Sequence, residues 1–96
     1  MKYFYVYILA SRRNGTLYTG STDDLANRVW QHKNKIIKGF TSTYGVDRLV
    51  WFETYDTREE AFARERRIKE WKRAWKLELI EKANPEWNDL FDTLNA

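Results

Sequence analysis

With 96 residues, 43% of them hydrophobic and 17% aromatic, the chain suits one compact domain, 1–96, with a core of its own. It has no cysteine, which excludes disulfides and thiolate metal sites, and no apolar run of membrane length. The net charge of +3 permits a polyanionic partner without requiring one, and with no signal-peptide pattern at the N-terminus the expectation is a soluble, cytoplasmic protein.

The first predicted element is a β-hairpin over Tyr3 to Gly20. Its first arm, Tyr3 to Leu9, is aromatic and β-branched, which suits a pleated, half-buried surface. Asn14-Gly15 is a strong short-range turn signal, and Thr16 to Gly20 forms the second arm. Alternation places Tyr3, Tyr5, Tyr7 and Leu9 on one face and Phe4, Val6 and Ile8 on the other. The Val6 and Ile8 face reads as core, and the opposite face as a wet row of phenols that Tyr18 joins.

Ser21-Thr22-Asp23-Asp24 carries cap residues and first-turn acids, so a helix is predicted from about Asp23 to near Lys33. Leu25 and Val29 pack inward, while Arg28 and His32, four apart, share another face. Between Lys33 and Gly45 the periodicity breaks, and Lys33, Lys35 and Lys38 alternate with Ile36, Ile37, Phe40 and Tyr44; this reads as a basic, aromatic loop or a frayed helix end. Arg48 to Tyr55 is a third strand, expected to pair with the hairpin in an antiparallel sheet.

Thr57-Arg58-Glu59-Glu60 fits a capping box and opens a second helix to about Trp71. Lys72 to Lys82 either continues it or forms a third helix. Asn84-Pro85 ends that segment and starts a short helix over Glu86 to Leu94, with Trp87, Leu90, Phe91 and Leu94 covering the core. The fold class is therefore α+β: a three-stranded antiparallel sheet flanked by helices, in the order β-β-α-β-α-α with a short C-terminal helix.

One carboxylate stands out. Glu65 lies four residues after Ala61 and three before Ile68, on the apolar stripe of its helix. An ionised carboxylate is costly to bury unless paired or metal-bound. It either reaches the surface, or pairs with an arginine such as Arg64 or Arg28, or holds Mg²⁺ with phosphate and water completing the shell. Arg28 offers a planar fork for phosphate oxygens; His32, the sole histidine, rules out a multi-histidine metal site. Arg66, Lys69, Arg73 and Lys76 form a basic stripe at helical spacing, which with the 33–44 segment makes a backbone-tracking surface or an ordinary solvated face.

Taken together, Tyr5-Val6-Tyr7, Tyr18-Thr19-Gly20, Arg28, His32 and Glu65 resemble the GIY-YIG nuclease superfamily, and in particular its small single-domain bacterial members, similar to the N-terminal nuclease module of the excision-repair C subunit. The resemblance runs from the first strand through the second helix, with one departure: Tyr5 stands where the family name has glycine. It implies metal-dependent, structure-selective or weakly specific cleavage of DNA, in a repair or recombination setting. The implied catalytic residues are Tyr7, Tyr18, Arg28, His32 and Glu65, with Glu65 holding Mg²⁺ or Mn²⁺. Lys33, Lys35, Lys38, Tyr44, Arg66 and Lys69 are the expected nucleic-acid contacts. Which of Tyr7, Tyr18 and His32 acts as base stays open. The expected partners are DNA and proteins that supply targeting. The alternative is a non-catalytic nucleic-acid-binding module, or a protein-interaction domain using its tryptophan-rich C-terminal helices.

Overall fold

In the computed structural model, which describes residues 2–95, the predicted hairpin becomes β1 (Phe4–Ala10) and β2 (Leu17–Thr22). Strand β3 (Arg48–Tyr55) pairs antiparallel with the other side of β1, giving the sheet order β2-β1-β3. The fold is α+β in the predicted order, with one short helix added. Because the richest β-forming run is the central strand, both its faces are covered. Val6 and Ile8 pack with Val50, Trp51, Ala61, Ile68, Ile80 and Trp87. Tyr7 and Leu9 pack on the other side with Leu25, Val29, Val46 and Leu49. The phenol face is thus a second core rather than a wet row: Tyr7 is buried, and only Tyr3 at its start is exposed.

The hairpin turn closes through Ser11 N–H to Thr16 O (3.0 Å) and Gly15 N–H to Arg12 O (2.9 Å), and here only Asn14 (φ 58°) enters the left-handed region. Gly15 is needed for space, since a Cβ there would lie 2.3 Å from Ser11 Oγ. The Arg73 guanidinium donates to the carbonyls of Asn14 (2.8 Å) and Gly15 (2.7 Å), so this member of the basic stripe clamps the turn.

Helix α1 (Leu25–Lys33) is capped by Asp24, whose carboxylate accepts from Asn27 N–H at 3.2 Å. A five-residue helix, α2 (Phe40–Tyr44), occupies part of the stretch read as a loop or a frayed helix end. Helix α3 (Arg58–Lys69) has the expected cap, with Thr57 Oγ1 accepting from Glu60 N–H at 3.2 Å. The chain then breaks, and α4 (Arg73–Ala83) is a separate helix. The C-terminal element is a 3₁₀ helix, Leu90–Asn95, that starts later than Glu86 because Trp87 holds a left-handed φ of 56°. Its apolar residues divide between the cores: Trp87 joins the Val6 side, while Leu90, Phe91 and Leu94 cover the Tyr7 side.

Candidate active site

Tyr7 faces Gly20 across the β1–β2 ladder. A Cβ on residue 20 would lie 2.5 Å from the Tyr7 Oη and 2.7 Å from Cζ, so glycine is what lets the ring lie across the backbone of β2. This brings the phenol to the β2 edge of the sheet. Its Oη lies 3.4 Å from His32 Nε2, and His32 Nδ1 lies 2.9 Å from Thr41 Oγ1. Tyr18 rests against both rings, with centroids 6.4 Å from Tyr7 and 5.6 Å from His32.

Burial pushes the Tyr7 phenol well above the ordinary tyrosine value, and nearby Tyr18 adds to the rise; the Arg28 guanidinium pulls against it, and Glu65 adds a smaller upward push. Burial, then Arg28, holds His32 below its ordinary 6.5, partly opposed by Asp47. Tyr7 is therefore a neutral phenol and His32 a neutral imidazole at pH 7. The consistent proton assignment has Tyr7 donating to Nε2 while Nδ1–H donates to Thr41. Arg28, on α1 one turn before His32, is the positive charge felt by both groups.

Glu65 approaches from α3 and is 8% exposed. Its Oε1 accepts from the Ser21 hydroxyl on β2 at 2.5 Å, and its Oε2 pairs with the Lys69 ammonium at 2.6 Å. Neither arginine expected as a partner takes that place: Arg64 reaches Glu53 at 3.2 Å and lies over the Trp71 ring. Lys69 is half exposed and marks the solvent side of the carboxylate. Two grooves elsewhere on the surface, one lined by Trp71, Trp75 and Leu79 and one by Glu53, Tyr55 and Arg67, contain none of these site residues.

The fit to a divalent ion rests on this carboxylate. A hard oxygen already holds a cation at 2.6 Å, on a lysine whose long stem can swing into solvent. Among the described residues no group of three or more His, Cys, Asp and Glu side chains forms a cage. Glu65 thus fits Mg²⁺ or Mn²⁺ as one protein ligand, the remainder coming from water and substrate phosphate.

The structure brings Tyr7, Tyr18, Arg28, His32 and Glu65 to one edge of the sheet. It scatters the expected nucleic-acid contacts. Lys33 pairs with Asp89 and lies 5.3 Å over the Phe91 ring, tying α1 to the C-terminus. Arg66 lies over Phe62 at 5.6 Å, and Lys69 moves into the site. Lys35, Lys38 and Tyr44 are exposed. The sequence reading missed Thr41 and Ser21 as the partners of His32 and Glu65. Gly20 it read only as part of a motif, and no periodicity marks the other two.

A family profile described as the GIY-YIG catalytic domain matches residues 3–78. The chain belongs to the GIY-YIG family. Among its relatives, a UPF0213 protein of Clostridium perfringens is 41% identical over 76 residues, 79% of this chain and 81% of that one. A UPF0213 protein of Haloquadratum walsbyi is 39% identical over 79 residues, 82% of this chain and 88% of that one. The solution NMR structure of a UPF0213 protein from Bacillus halodurans superposes with a TM-score of 0.56 at 30% identity, covering 91% of this chain and 92% of that one. The GIY-YIG match spans β1, β2, α1 and α3, the elements that carry all five residues at the β2 edge.

Proposed function

We propose that this GIY-YIG protein is a Mg²⁺- or Mn²⁺-dependent endonuclease that hydrolyses DNA phosphodiester bonds, selecting by structure or only weakly by sequence, in repair or recombination. The observation that carries the reading is the meeting of a neutral imidazole, a buried phenol, a guanidinium and a buried carboxylate from three elements, β1, α1 and α3, at one strand edge. Glu65 would hold the ion through the oxygen now paired with Lys69. When bound, the ion supplies Lewis-acid polarisation of the phosphate and neutralises the leaving oxygen.

The chain's own residues supply the rest. Arg28 offsets charge that builds on the phosphoryl oxygens. Tyr7 is too strongly held in its neutral form to end as a phenolate, so it serves as a conduit: its oxygen accepts from the attacking water while its proton passes to His32 Nε2. Thr41 fixes the imidazole for that transfer by accepting from Nδ1. Tyr18, half-buried beside both rings, orients the water.

The test is incubation with branched, nicked and single-stranded DNA in Mg²⁺. Cleavage is expected, reduced on the order of 10²–10³-fold by Glu65→Gln or Arg28→Ala. Cleavage undiminished by Glu65→Gln overturns the assignment. A second reading, a binding module that keeps the fold, draws on both Glu65 oxygens being engaged within the chain; salt-sensitive DNA binding with no cleavage in any divalent ion establishes that reading instead.

A further inference from the structure

Helix α2 is set in place by conformation rather than by packing of its outer face. Gly39 (φ 126°) and Gly45 (φ 64°) bound it, and no atom lies within 4 Å of where a Cβ on either would sit. Glycine is selected there by positive φ, not by crowding. The single turn so defined buries Thr41 against His32. Phe40 and Tyr44, four residues apart, share one side of the turn and are 49% and 61% exposed. Their ring centroids are 5.0 Å apart with planes inclined at 50°, so they do not close into a face-to-face stack.

Charge accompanies the rings. Lys35 and Lys38 are exposed and make no ion pair among the described residues. Lys35 N–H donates to His32 O at 3.1 Å, so this lysine, like α2, is anchored on the histidine of the candidate active site. Trp30 and Ile36 add exposed apolar area in the same stretch of chain.

We propose that Phe40 and Tyr44 are a stacking platform for unpaired bases of a DNA strand, with Lys35 and Lys38 on its phosphates, so that the substrate class is DNA carrying unpaired nucleotides beside the cleaved bond. This rests on the nuclease reading above. Exposed rings in the same stretch of chain as exposed ammonium groups match the two parts of a nucleotide, an apolar base and an anionic phosphate. Bases within a duplex have their faces covered by neighbours and offer such rings nothing. The platform therefore adds affinity only where bases are unpaired. The Thr41–His32 hydrogen bond fixes its place relative to the candidate active site.

The test compares a labelled blunt-ended duplex of two fully paired strands with the same duplex bearing a six-nucleotide thymidine tail (an overhang of about that length), bound in EDTA so that cleavage does not interfere. The wild type is expected to bind the tailed probe about tenfold tighter, and Phe40→Ala/Tyr44→Ala to bring the ratio close to one. Lys35→Gln/Lys38→Gln should weaken both probes together and lower the salt slope by about two. Equal binding of tailed and blunt probes by the wild type, or a ratio unchanged by the aromatic double substitution, overturns the proposal. Both aromatic side chains lie on the surface, so the variant's melting temperature should match the wild type; a fall of several degrees with the ratio kept also counts against the platform. Binding preference without cleavage removes the nuclease reading and leaves the platform standing, whereas cleavage without preference does the reverse.

Discussion

The two faces of β1 are equally buried yet hold different chemistry. Val6 and Ile8 point into a cluster made almost wholly of aliphatic and indole side chains from β3, α3, α4 and Trp87. Tyr7, as deeply buried as they are, touches a histidine, a second tyrosine and the field of an arginine. Burial therefore does not separate core from candidate site here; what covers each face does. The apolar face is held chiefly by packing, with Asn84 donating to Val50 O and the Trp87 indole to Glu81 at its margin. On the other face every polar atom needs a partner, and among the described residues no buried side-chain nitrogen or oxygen lacks one.

The contrast can be broken from either side. Ile8→Ala on the apolar face removes fully buried methyl groups and should cost about 2–5 kcal/mol, read by urea unfolding. The His32 environment, followed by imidazole proton shifts, should change little in the molecules that stay folded. Gly20→Ala forces a methyl to within 2.5 Å of the Tyr7 hydroxyl. A loss of about 1–3 kcal/mol is expected, with a clear change in the His32 signals because the phenol must move. If Gly20→Ala leaves those signals in place, the crossing of ring and backbone at the strand edge is wrong.

The smallest effect is in pH. Folded His32 titrates below 6.5, chiefly through burial, so the unfolded chain takes up its proton first as pH falls. This contribution to stability is whole above pH 6.5 and declines as pH drops below that value, since the unfolded state then binds more protons. His32→Gln should flatten that part of the stability profile measured from pH 7.5 down to 5.5 (on the order of two pH units). The same protonation removes the acceptor for Tyr7, so the acid limb of any cleavage profile should lie below the ordinary histidine range.

Much of the fold was legible because it is local. Alternation in Tyr3 to Leu9, the cap at Thr57 and the β-forming run from Arg48 to Tyr55 each depend on neighbours in sequence. Glu65 was legible for the opposite reason, as a charge on an apolar stripe. What escaped depends on tertiary contact. A central strand seals both faces, which hid the burial of Tyr7 until a second neighbour was in place. Helix α2 is one turn long, carries two threonines and has no room for a 3.6-residue period. Thr41 and Ser21 become site residues only through hydrogen bonds to partners 9 and 44 residues away. The left-handed Trp87, on which the C-terminus divides its apolar residues between two cores, breaks a helical spacing that the sequence alone satisfies.

The central claim is that groups from separate strands and helices work as one unit at the β2 edge. The most direct measurement is the Mg²⁺-dependent cleavage rate of DNA by the wild type, Tyr7→Phe, Glu65→Gln and the combined variant. Acting as a unit, each single change should slow cleavage by about 10²-fold or more, and the combined variant should be no slower than the worse of the two. Losses that multiply, or a Tyr7→Phe variant as fast as the wild type, would contradict it.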